Sequence, residues 1–277
     1  MTVPTTHTGN TSTWDTGNAR INVTKGNIGT IDYKHEVALG IIQGSSLWNK
    51  FGYNADIDTA TSPEIIASFG GSFSPDVTAT TVDIVSSDAA DDSGGTGCNS
   101  VVVYGLDANW DALVEVVTLD GVTPVTTTGS FIGINRVAMF LCGSGRVNAG
   151  TITATATTGG RTMAVLPLGE GVTQQCLFYV PQNNTFVMEY LLLGAARNAS
   201  NNPYVTFKVF VFSSVSNGIQ EVFRKTLDTE VQVYADIEPN LPFPITEKTV
   251  IWVEASTDQN NTEVTCRFSG ILVEDEA

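Results

Sequence analysis

The chain has 277 residues, of which 42% are hydrophobic and only 15% charged, and its formal net charge is −16. That length is enough to bury one large core or two, and the sparse charge leaves surface polarity to Thr, Asn, Ser and Gly. The acidity excludes direct binding to nucleic-acid phosphates and to anionic membranes, both of which need a basic face. Only two histidines occur, His7 and His35, both near the start. The body behind them is therefore closed to imidazole-based catalysis and to most zinc chemistry.

In chain order, residues 1–35 read as an extended arm of Thr, Asn and Gly, with Trp14, Ile21 and Val23 as its sparse apolar anchors. Such a segment does not pack on itself. Residues 36–75 read as a connector, in which Leu47, Trp48, Phe51 and Tyr53 form an aromatic-rich cluster. Within it, Ser62-Pro63-Glu64 has the form of an N-cap, a first-position proline and a first-turn acid, and predicts a short helix ending at Gly70-Gly71.

From residue 76 the apolar period changes to two. Val82 and Ile84 flank Asp83, and strands are predicted over 101–104, 112–119, 130–142, 151–156 and 162–166. Asp120-Gly121 is a tight-turn signal. Turns recurring roughly every ten residues point to an antiparallel sandwich or barrel over 76–171. A boundary is expected at Gly169-Glu170-Gly171. Beyond it, 172–277 predicts a second, jelly-roll-like sandwich with longer strands. Val205, Phe207, Val209 and Val211 share one face of such a strand, while the opposite face turns apolar at Phe210 and Phe212. In the last strand Val264, Cys266, Phe268 and Leu272 point inward and Glu263, Thr265, Arg267 and Ser269 outward. The fold class expected is all-β: two antiparallel sandwich or jelly-roll-like modules behind an N-terminal arm.

Reactive constellations are sparse. Cys98, Cys142, Cys176 and Cys266 form no CxxC pair, and Cys142 and Cys266 read as small core residues of a reduced protein. Asp88, Asp91 and Asp92 are the densest oxygen-donor cluster and the weak candidates for a metal, but they lack the offsets of a calcium loop. A solvated acidic loop is the simpler reading. Gly143-Ser144-Gly145 lacks the full nucleophile-elbow pattern, and Gly94-Gly95-Thr96-Gly97 lacks a phosphate loop's Lys. Glu115, Asp120, Glu189, Glu230 and Glu254 lie on or near strands, without a pairing that would support glycoside hydrolysis. No catalytic residue and no cofactor is expected. Trp14, Trp48, Phe51, Tyr53 and Trp110 are the candidate partner contacts, and Trp110, in a hairpin loop, is the best placed to stack on a glycan. There is no apolar leader and no run of about 20 apolar residues, so synthesis and folding in a cytoplasm are expected.

Several runs carry a family resemblance. Leu106-Asp107-Ala108-Asn109-Trp110, Glu115-Val116-Val117-Thr118-Leu119-Asp120-Gly121, Ser130-Phe131-Ile132-Gly133-Ile134-Asn135-Arg136 and Asn148-Ala149-Gly150-Thr151-Ile152-Thr153 follow in order. With Asp58-Thr59-Ala60-Thr61-Ser62-Pro63-Glu64, Tyr179-Val180-Pro181, Glu247-Lys248-Thr249 and Phe268-Ser269-Gly270-Ile271-Leu272-Val273, they resemble virion structural proteins of tailed bacteriophages of marine and cyanobacterial type. The resemblance implies a non-enzymatic, multi-copy particle component. The form expected first is a trimeric capsid decoration, or cement, protein partnered by itself and by the major capsid protein or other virion proteins. A tail, collar or baseplate part and a glycan-binding host-attachment module are the alternatives.

Overall fold

A computed structural model describes residues 11–15, 20–24, 33–196, 202–237 and 243–275. Two compact units divide between Ser45 and Ser46. In the first, β1 (Thr11–Asp15) pairs antiparallel with β2 (Arg20–Thr24), and the helix α1 (Tyr33–Ala38) follows. Much of the expected arm, His7 included, lies outside the described residues. Its described part is a hairpin. Ile21 and Val23 alternate with Arg20, Asn22 and Thr24, which is the period of a strand.

The second unit contains β3 (Ser45–Ile57) from its second residue on, β4 (Glu64–Ile65), β5 (Val82–Ser86), β6 (Cys98–Leu106), β7 (Ala112–Thr118), β8 (Val125–Thr126), β9 (Gly133–Cys142), β10 (Ile152–Ala156) and β11 (Thr162–Leu166). There follow β12 (Leu177–Tyr179), β13 (Asn184–Ala195), β14 (Tyr204–Ser213), β15 (Gly218–Asp228), β16 (Tyr234–Ile237), β17 (Phe243–Ile245), β18 (Thr249–Thr257) and β19 (Thr262–Glu274).

One sheet has the order β16-β13-β19-β3, with β17 also on β13. The other has the order β12-β18-β14-β15, with β4 also on β18. Take β3, β12, β13, β14, β15, β16/β17, β18 and β19 as eight successive strands. The first, eighth, third and sixth then make one sheet, and the second, seventh, fourth and fifth make the other. That is the strand exchange of a jelly roll's two Greek keys. The remaining strands form a separate sandwich of β11-β10-β5-β8 against β7-β6-β9. It is inserted between the first and second jelly-roll strands. The molecule is therefore all-β and antiparallel, as the alternation predicts.

Three apolar clusters hold it together. Phe178, Phe186, Leu191, Val205, Phe207, Ile251, Val264 and Phe268 fill the space between the jelly-roll sheets. Val82, Ile84, Val101, Val103, Phe131, Val137 and Ile152 fill the inserted sandwich. The third cluster lies on the far face of β12-β18-β14, where Leu177, Tyr179, Phe210, Phe212 and Trp252 meet Leu106, Trp110 and Ile132 of the inserted sandwich. This explains why Phe210 and Phe212 are apolar on a face that alternation alone would make polar: that sheet is covered on both sides.

Two expectations are corrected. The segment 36–75 is not a plain connector, since β3 and β4 are strands of the jelly roll itself. No helix starts at Ser62 either. Glu64 and Ile65 pair with Ala255 and Glu254 of β18, and Ile65, Ile66 and Ala67 are all fully buried. An extended chain wedged between two apolar surfaces buries all three. The Glu64 carboxylate, expected to favour a first helical turn, instead accepts bonds from Thr61 Oγ1, Gly71 N at 2.8 Å and Asn54 Nδ2 at 3.2 Å. Among the described residues, no helix is long and apolar enough to cross a membrane.

Candidate functional site

Beside the apolar cluster, polar side chains also bridge the inserted sandwich and the jelly roll. Asn135 of β9 bridges to β12 twice, donating from Nδ2 to the Tyr179 carbonyl at 3.0 Å and accepting from Tyr179 N at 2.7 Å. Gln175 Nε2 donates to the Ile134 carbonyl at 2.7 Å, and Thr173 Oγ1 accepts from Val137 N at 3.2 Å. Close approach depends on two glycines. A Cβ on Gly133 would lie 2.3 Å from Tyr179 Cζ, and one on Gly52 would lie 2.1 Å from the Ile66 carbonyl oxygen and 2.6 Å from Cys176 Cβ.

Beside this junction an open cleft of about 470 Å³ is lined by residues 47–51 of β3, Arg136 of β9, and Val172, Thr173 and Gln175. In β3 the buried phase runs through Lys50, Gly52 and Asn54, so a lysine occupies an inward position. It is only 7% exposed. Its ammonium donates to the Asn135 carbonyl. Burial pulls the Lys50 pKa down to about 7, with Arg136 contributing in the same direction and Cys176 opposing. The Gln175 side chain is buried as well, and its Oε1 has no hydrogen-bond partner. Leu47 and Phe51 are exposed at the mouth, and the half-buried Trp48 packs its ring 4.7 Å from that of Phe178. On a chain of net charge −16, the cleft is lined by two cations and no acid.

A second surface adjoins it. On the outer face of β7-β6-β9, Tyr104 stands opposite Val114 and Arg136, while Val102 stands opposite Val116 and Ala138. Tyr104, Val114 and Val116 are exposed there, and so are Phe140 and Leu141 at the end of β9. Contiguous exposed apolar side chains on a sheet face mark a contact surface.

The expected contact residues scatter. Trp48 and Phe51 line the cleft. Tyr53 lies farther along β3 and is half-buried. Burial, and then its bond to Glu263, push its phenol pKa upward. Trp110 is not exposed. It is 5% accessible, in the cluster between the two sandwiches with its ring 6.1 Å from that of Tyr179. The hairpin loop that carries it folds inward because the outer face of β12 and β18 needs covering. The Trp14 side chain lies outside the described residues.

The acidic cluster divides too. Asp91 is fully buried, and its carboxylate accepts four bonds: from Ser86 Oγ at 2.6 Å, Cys98 N at 2.7 Å, and Ala149 N and Gly150 N at 2.8 Å. Burial works against its ionisation, but these donors outweigh burial and hold the carboxyl below its usual range. It organises loops and has little coordination capacity left. Asp88 Oδ1 accepts from Ala90 N and Asp92 Oδ1 from Gly94 N, which are local turns. Glu115 accepts from Thr128 N and Gly129 N, and Glu254 from Trp252 Nε1. Cys142 is exposed rather than core, while Cys176 and Cys266 are buried free thiols whose sulfurs lie 2.9 Å apart. Sequence reasoning missed Lys50, Arg136, Gln175 and the role of Asn135. The only available signal was a lysine in the inward phase of 48–54, which becomes visible once that segment is taken as a strand.

No family model matches the chain, and no curated protein matches it. Solved structures of infectious bursal disease virus align weakly. The Gt-strain structure is 10% identical, over 84% of this chain and 73% of its own, with a TM-score of 0.23. The VP2 subviral particle is 12% identical, over 83% and 72%, with a TM-score of 0.25. Superpositions at these scores do not establish a shared fold.

Proposed function

We propose that this chain is a non-enzymatic structural component of a virus particle, present in many copies and self-associating. In its most specific form it is a trimeric decoration protein on the capsid of a tailed phage. The observation that carries self-association is the exposed apolar face of β7-β6-β9, with Tyr104, Val114 and Val116 outward in cross-strand register. A low fraction of charged residues and an all-β body suit repeated subunit contacts, which gain strength by multivalency. The phage setting rests on the motif resemblance over roughly residues 55–275. Glycan attachment loses its best-placed residue, because Trp110 is buried.

The test is the mass in solution of the purified chain and of a Val114→Asp, Val116→Asp double variant, by sedimentation. The expected result is a discrete oligomer that the double variant reduces to monomer with the fold intact by circular dichroism. A wild-type monomer at all concentrations, or an oligomer indifferent to both substitutions, overturns the assignment of this face. Electron cryo-microscopy of the particle then gives its location and symmetry.

A further inference from the structure

We propose that the cleft between β3, β9 and residues 172–175 binds a carboxylate presented by an extended protein segment, next to an aromatic or aliphatic side chain. This goes beyond the structural role above and does not depend on which face the copies share. Its physical basis is an incomplete polar balance. The buried Lys50 ammonium has three N–H donors and meets one carbonyl, that of Asn135. Among the described residues no carboxylate pairs with it. A buried cation without a counter-ion is costly. Arg136, on the same wall, adds repulsion that an arriving anion would cancel. Gln175 Oε1, buried in the same lining with no donor, calls for N–H groups, which a peptide supplies and a simple carboxylate does not. Leu47, Trp48 and Phe51 give the mouth an apolar rim for the neighbouring side chain. Among the described residues β3 is the terminal strand of its sheet, so its outer edge can receive an extended segment. A volume of about 470 Å³ accommodates a few residues.

Titration of the site gives an independent handle. The groups acting on Lys50 are Arg136 from β9 and Cys176 from the segment before β12. Because the ammonium is the binding form and burial holds its pKa near 7, peptide affinity should rise as pH falls through that value and level off below it.

The experiment is calorimetric titration of the full chain, below pH 7, with acetyl-Phe-Glu-Leu-amide. Acetyl-Phe-Gln-Leu-amide, glutarate and inorganic phosphate serve as the other probes. The Glu peptide is expected to bind at least about tenfold tighter than each of them. Lys50→Met should weaken it at least about tenfold, and Arg136→Gln should weaken it less. Arg146→Gln, which does not line the cleft, should leave it unchanged. Equal binding of the Glu and Gln peptides, glutarate or phosphate binding as tightly as the Glu peptide, or full affinity in Lys50→Met each overturns the proposal. If Lys50→Met does not fold, the wild-type pH dependence decides, and affinity that is flat across neutral pH overturns it.

Discussion

At the residue scale, two buried charges are solved in opposite ways. Asp91 is surrounded by donors that require a negative acceptor, so Asp91→Asn would turn an amide group towards backbone N–H groups. The expected loss is on the order of 3 kcal/mol in denaturant unfolding. The sign of its pH effect follows from the lowered folded pKa. The contribution of Asp91 is complete above the unfolded value and is lost as pH falls through the folded one, so the variant should lose less stability than wild type on acidification. Lys50 is the reverse case. Its folded pKa lies near 7, against 10.5 for the free side chain. Between those values the unfolded chain holds the proton and the native chain does not, so wild-type stability rises with pH by up to about 1.4 kcal/mol per unit. Lys50→Met should therefore be more stable than wild type at and below neutrality, with an advantage that shrinks towards pH 10. A constant difference across that range would mean that the ammonium is not buried. Neither behaviour was legible in the sequence. Asp91 and Asp92 look alike as neighbours, and only the fold closes four donors around one of them.

At the scale of elements, alternation was a reliable guide where one face is buried and the other wet. β19 follows the expected phase from Glu263 to Ser269: Val264, Cys266 and Phe268 are buried, and Arg267 is exposed with Nε on Asn49 Oδ1 at 2.8 Å, whereas Ile271 and Leu272 are both buried. Phe268→Ala should cost about 3–5 kcal/mol through lost burial and a residual cavity. Arg267→Ala should cost under about 1 kcal/mol. Equal losses in chemical unfolding would contradict the register. The reading failed at β4, where Ser-Pro-Glu has the local chemistry of a helix start. Long-range pairing with β18 and burial of Ile65, Ile66 and Ala67 outweigh a preference worth at most about 1–2 kcal/mol. It also failed at β3, whose aromatic residues mask the strand period. The missing lysine site follows directly from that failure, because Lys50 is anomalous only against an inward-facing strand phase.

At the scale of the molecule, linear reading gives two successive modules, whereas the chain closes a jelly roll around an insertion. No local signal reports that residues near 50 pair with residues near 268; only the two-sided burial of β12-β18-β14 hints that something covers its outer face. That cover is the third apolar cluster, and it makes a prediction about cooperativity. Trp110 is the largest side chain that the inserted sandwich contributes to it, beside Tyr179 and within the same cluster as Trp252. With the cluster intact, both sandwiches should unfold in a single calorimetric transition, because separating them exposes the outer faces of β12 and β18. Trp110→Ala removes about 3–5 kcal/mol of burial from the junction while leaving the separate core of each sandwich untouched. The expected outcome is two transitions, with the inserted sandwich and the jelly roll melting apart. A single transition merely shifted to lower temperature would show that the polar bridges of Asn135, Thr173 and Gln175, with the rest of the apolar cluster, couple the two bodies without Trp110.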